Sequence, residues 1–201
     1  DEVYGGQAVR HLALLALLAI TACKPPPTDA DLLRDIPEAE PTFASAPLPS
    51  PDTESAVWAP SMRAEGRLIY GVPGQAALLL LQCRTDGEPT IQITRTAPAD
   101  ENAGALLALV GNGHIGRVEV DATEVGDQFF WIGEAPAQSE VWEPLTGPRD
   151  LTVTVPGAGM VTLNADALPA LMIASCRAGD MLDAETLTQP SDPEESPSPL
   201  S

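Results

Sequence analysis

Apolar and polar residues alternate along Thr90-Ile91-Gln92-Ile93-Thr94-Arg95, which predicts a half-buried β-strand. Just before it, Ala76 to Leu81 is a short continuous apolar run bounded by Asp86-Gly87-Glu88-Pro89, the pattern of a buried strand. The two predict an antiparallel hairpin turning at Asp86-Gly87. The pattern then repeats. The apolar run Leu106 to Val110 is followed by Gly111-Asn112-Gly113 and by the alternating Arg117-Val118-Glu119-Val120-Asp121, a second hairpin. Gln128-Phe129-Phe130-Trp131-Ile132 has the aromatic content of a strand. Leu151-Thr152-Val153-Thr154-Val155 alternates again and turns through Pro156-Gly157-Ala158-Gly159 into Met160-Val161-Thr162-Leu163.

The period changes near the end. Leu168, Leu171, Met172 and Ser175 share one face at helical spacing. Asn164 or Asp166 can cap the start, Pro169 is tolerated in the first turn, and Gly179 suits the end. The expected fold is therefore mainly β, α+β in class: a small antiparallel sheet or sandwich over residues 56–178 with one C-terminal helix.

Outside that segment the composition shifts. Residues 23–55 and 179–201 are rich in proline, serine and carboxylates and poor in aromatics, so they cannot bury enough apolar surface to offset chain entropy. They are expected to be a disordered tether and a disordered acidic tail. Lys+Arg number 10 against 29 Asp+Glu, a net charge of −19 in 201 residues. Such a chain repels phosphate backbones, which excludes nucleic-acid binding.

The apolar run Leu12 to Ala22 is too short to span a bilayer, which takes roughly 20 residues, but it suits a secretory signal. Arg10 supplies the positive flank, and the small residues Thr21 and Ala22 precede Cys23. Ile20-Thr21-Ala22-Cys23 resembles the lipobox of bacterial lipoprotein signal peptides. That resemblance covers residues 10 to 24. It implies cleavage of residues 1–22, a thioether-linked diacylglycerol on Cys23 and a palmitate-type acyl chain on the new amino terminus. Lys24, where an Asp would favour inner-membrane retention, points to the outer membrane of a Gram-negative cell, with the protein facing the periplasm. Asp1 and Glu2 are wrong for the start of such a signal, so residues 1–8 are expected to lie outside the natural precursor, with Val9 as the initiating position.

With Cys23 assigned to lipid, Cys83 and Cys176 remain. An even pair in an exported protein predicts a disulfide, the alternative being two buried free thiols. Cys83-Arg84 and Cys176-Arg177 also resemble the Cys-Arg pairs, after an early strand and at the end of a final helix, of uncharacterised periplasmic lipoproteins from high-GC alphaproteobacteria. That resemblance implies no activity.

Candidate chemistry is sparse. Gly111-Asn112-Gly113-His114-Ile115-Gly116 fits the dinucleotide-binding pattern, but that chemistry needs a helix to follow and a strand is expected instead, so a hairpin turn explains the glycines. No cofactor is expected. His114 is read as an exposed turn residue, and one histidine with two paired cysteines cannot make a zinc site. The acidic series Glu119, Asp121, Glu124 and Asp127 could hold calcium, or serve as paired carboxylates of an envelope hydrolase, against the simpler reading of a solvated strand edge. Trp58 and Trp142, each beside a proline, either cap the core or face a partner. The expectation is a lipid-anchored envelope protein, a binding or structural module in contact with another envelope protein; the alternative is a hydrolase or calcium-dependent enzyme using the acidic series.

Overall fold

The computed structural model describes residues 47–181. The lipobox, Cys23 and most of the expected tether and tail lie outside the described residues. Nine strands follow one another: β1 Val57–Pro60, β2 Arg67–Gly71, β3 Leu79–Arg84, β4 Thr90–Pro98, β5 Gly104–Gly111, β6 His114–Val125, β7 Gln128–Pro136, β8 Leu151–Thr154 and β9 Met160–Leu163. A 3-10 helix, Glu140–Leu145, separates β7 from β8, and the one α-helix among the described residues, α1, spans Leu168–Ala178. The expected hairpins form, β3 with β4 and β5 with β6, as do the aromatic strand and the C-terminal helix.

All pairings are antiparallel, in the order β1-β2-β3-β4-β7-β6-β5-β8-β9. The chain leaves β4, builds β5, β6 and β7 as a meander, and brings β7 back beside β4. It then passes through the 3-10 helix to place β8 on the far side of β5. These are two overlapping Greek keys.

The sheet curls into a nearly closed barrel. Its free edges are bridged by side chains. The Tyr70 hydroxyl of β2 donates to the Thr162 carbonyl (2.9 Å) and accepts from the Asn164 amide (3.0 Å). Asn164, expected as a helix cap, instead donates its side-chain amide to the carbonyls of Ala56 (2.7 Å) and Thr53 (3.0 Å). Asp166 accepts from the Leu168 amide at 2.8 Å, but the cap position itself falls to Ala167, which makes no side-chain hydrogen bond there. Residues 47–55, assigned from composition to the disordered tether, lie against the β8–β9 turn. The Leu48 amide donates to Gly157 (2.8 Å), and Ser50 Oγ accepts from the Met160 amide (3.0 Å). This short segment needs no core of its own, because the turn supplies its partners.

The interior is built in layers that can be read off the register. Leu68, Leu81 and Ile93 form one level; Cys83 and Ile91 form the next, beneath α1. All five are buried, as are Met172, Ile173 and Cys176 of the helix. Cys83 and Cys176 are placed as a disulfide with Cα atoms 5.7 Å apart, joining β3 to α1.

Strands β1 and β2 were not foreseen from the alternation. Arg67-Leu68-Ile69-Tyr70 is short, and Trp58-Ala59-Pro60 reads as a turn, yet Trp58 pairs with Tyr70 and their rings pack at a tilt of 50° with centroids 5.0 Å apart. A proline is tolerated there because β1 is an edge strand.

Candidate functional site

One level of the interior departs from apolar packing. Reading across the sheet, Trp58, Tyr70, Leu79, Arg95 and Trp131 are successive cross-strand partners, and all five are buried. Arg95 stands in phase with Ile91 and Ile93, so its side chain enters the barrel and is only 5% exposed. Nη1 donates to the Leu78 carbonyl (3.1 Å), and Nη2 reaches across to the Ala158 carbonyl in the β8–β9 turn (2.9 Å). Nε has no partner among the described residues, and neither does the indole Nε1 of Trp131 on the adjoining strand. No carboxylate among the described residues pairs with the guanidinium, and burial lowers its pKa to about 10. The register shifts immediately beyond: Arg95 and Pro98 of β4 face the consecutive residues Trp131 and Phe130 of β7, a bulge. Bulges of this kind commonly re-aim a side chain beside a site. A cleft of about 240 Å³ lined by Pro51, Asp52, Ser55, Val72, Gln75 and Leu78 lies beside Leu78.

A second polar group lies around the 3-10 helix. Arg177 of α1 donates from Nη2 to Glu143 Oε1 at 2.8 Å and from Nε to the Ala137 carbonyl at 2.9 Å. Thr146 Oγ1 approaches Glu143 Oε2 at 3.2 Å. The Arg177 hydrogen bond holds the Glu143 carboxyl below the usual carboxylate range, assisted by the charges of Arg177 and His114 and by Thr146. This cluster ties α1 to the connection between β7 and β8.

The residues singled out from the sequence are scattered. Asn112 and Gly113 form a two-residue turn with φ of 53° and 84°, a type I′ hairpin turn between β5 and β6. The third glycine of the dinucleotide-like pattern, Gly116, lies under the 3-10 helix, where a Cβ would fall inside van der Waals contact of the Val141 carbonyl. Turn geometry and close packing thus account for these glycines, and a strand follows them. His114 is exposed at the start of β6.

Glu119, Asp121 and Glu124 are strung along β6, with Asp127 in the turn after it, and all are exposed. Among the described residues no group of three or more His, Cys, Asp or Glu is arranged to hold a metal ion. Trp58 and Trp142 are buried, so both cap the core; Trp142 donates its indole N–H to the Pro136 carbonyl at 3.0 Å. The outer face of the β5–β6 hairpin carries the exposed apolar residues Leu106, Val110 and Ile115, with Val110 and Ile115 directly paired.

The alternation from Thr90 to Arg95 ends on Arg95 and does not by itself show which side of the strand the arginine takes. Carried on through Ala97, the phase marks an arginine on the inward side of a strand, which is the signal that finds it. No helix among the described residues is long and apolar enough to cross a membrane. No family model matches the sequence, and neither a curated protein nor a solved structure matches it.

Proposed function

We propose that this chain is an exported cell-envelope lipoprotein, held at the periplasmic face of the outer membrane by lipid on Cys23, and that its β-barrel-like body is a non-enzymatic binding or structural module. The observation that carries the reading is the run Leu12 to Ala22 ending in Ile20-Thr21-Ala22-Cys23. Two or more acyl chains make such anchoring stable, each buried methylene contributing about 0.8 kcal/mol. The Cys83–Cys176 pair suits an oxidising compartment. Residues 23 to 46 would then be the tether, reaching at most about 80 Å when fully extended. The exposed apolar residues of the β5–β6 hairpin suit a contact with another envelope protein.

The test is an intact mass from membrane fractions together with the Cys23→Ser variant. Triacylated Cys23 at the amino terminus, and release of the variant into the soluble periplasmic fraction, are expected. An unlipidated wild-type chain, or a variant that stays in the membrane, overturns the proposal.

A further inference from the structure

We infer that the Arg95–Trp131 level of the barrel is a binding site for one small monovalent anion, of the size of chloride or a short carboxylate. The argument starts from charge. A buried guanidinium is ordinarily paired with a carboxylate, because an unpaired buried charge is costly. The chain carries 29 acidic residues, yet among the described residues Arg95 is met only by two neutral carbonyls.

The second point is geometric and independent of charge. Arg95 Nε and Trp131 Nε1 are both buried N–H donors without an acceptor among the described residues, and they belong to directly opposed positions of β4 and β7. Directly opposed side chains on one face start from Cβ atoms about 4.5–5.5 Å apart, so both donors can serve a single acceptor between them. Two buried donors at opposed positions, neither with an acceptor among the described residues, fit an anion. A water in the same place would accept from both but still need acceptors for its own hydrogens. A bulge follows Arg95, and the carbonyls of Leu78 and Ala158 each take one N–H from an Nη atom, while Nε keeps no acceptor among the described residues. Both donor atoms are buried, which favours a small anion over a bulky one.

The test uses the whole chain, ¹⁵N-labelled, in a buffer whose anions are bulky sulfonates. Sodium chloride, and separately sodium acetate, is titrated at constant ionic strength while the three indole N–H resonances are followed. The Trp131 resonance is expected to move downfield and saturate, while that of Trp142, already bonded to Pro136, stays in place. Arg95→Lys, which keeps the charge but loses the Nε donor, should weaken the response at least tenfold. A Trp131 resonance that is indifferent to both anions, or that drifts linearly in step with Trp142, overturns the inference. The wild-type titration decides the matter even if the variant does not fold.

Discussion

Removing the Cys83–Cys176 bond should cost a large share of the stability of the body. The two positions are 93 residues apart, so the bond closes a long loop in the unfolded chain. The chain-entropy relation gives about 4.6 kcal/mol at 25 °C for a loop of that length. In a body of this size that corresponds to a fall in Tm of about 15 °C. With a urea slope of about 1.5–2 kcal/mol/M, the midpoint should fall by about 2–3 M.

The assay is equilibrium urea unfolding of the Cys83→Ala/Cys176→Ala variant and of the reduced wild type, against the oxidised wild type. Both cysteines are buried, so the variant also loses some packing and should be slightly the less stable of the two reduced forms. Loss of the bond should not release α1 outright, since Arg177 still holds Glu143 and Ala137, and Met172 and Ile173 remain in the core. A loss below about 1 kcal/mol with an unchanged slope would refute the loop-closure reasoning. Alkylation of both cysteines in the native, unreduced protein would refute the bond itself.

Two further outcomes follow from the packing. Gly116→Ala should destabilise by about 2–4 kcal/mol, because its Cβ collides with the Val141 backbone and must displace the 3-10 helix; thermal unfolding reads the loss, and a change under 0.5 kcal/mol would show that helix to be only loosely seated. Tyr70→Phe removes a hydroxyl that serves both the Thr162 carbonyl and the Asn164 amide, and should cost about 1–3 kcal/mol, read by urea unfolding; a neutral result would mean that this bridge does not close the sheet.

Glu143 sets a pH dependence. Its pKa is lower folded than unfolded, so its contribution is present above the unfolded value and is lost as pH falls through the folded one. Its side chain is 32% exposed, so Glu143→Gln should cost at most about 1 kcal/mol at pH 7 and nothing at the acid end, as measured by unfolding at both pH values.

The legible parts of the fold were those where one physical signal dominated. Period-two alternation marked β4 and β6, Gly111-Asn112-Gly113 marked the hairpin turn between β5 and β6, and helical spacing ending at Gly179 marked α1. Strands β1 and β2 escaped notice because their inward residues, Trp58, Leu68 and Tyr70, are too few to establish a period. Their pairing is decided by the rest of the sheet. The 3-10 helix was hidden for a similar reason: Trp142-Glu143-Pro144 has a local preference for a turn, and only the glycine at 116 makes room for it. That the inward-facing arginine meets no carboxylate among the described residues is a tertiary fact. Its isolation depends on which strands end up facing each other, and no single segment encodes that.

The side-chain bridges that close the sheet also set a direction on its assembly. Tyr70 must wait for Thr162 and Asn164, and Ser50 for Met160, a separation of 110 residues. A chain threaded amino terminus first therefore exposes its early strands with nothing to close against until residues near 164 have arrived. Distant pairings of this kind slow folding and leave strand edges open to association in the meantime. The early strands are thus the portion most in need of protection while the chain is being made, and β8, β9 and Asn164 are the part whose arrival ends that need.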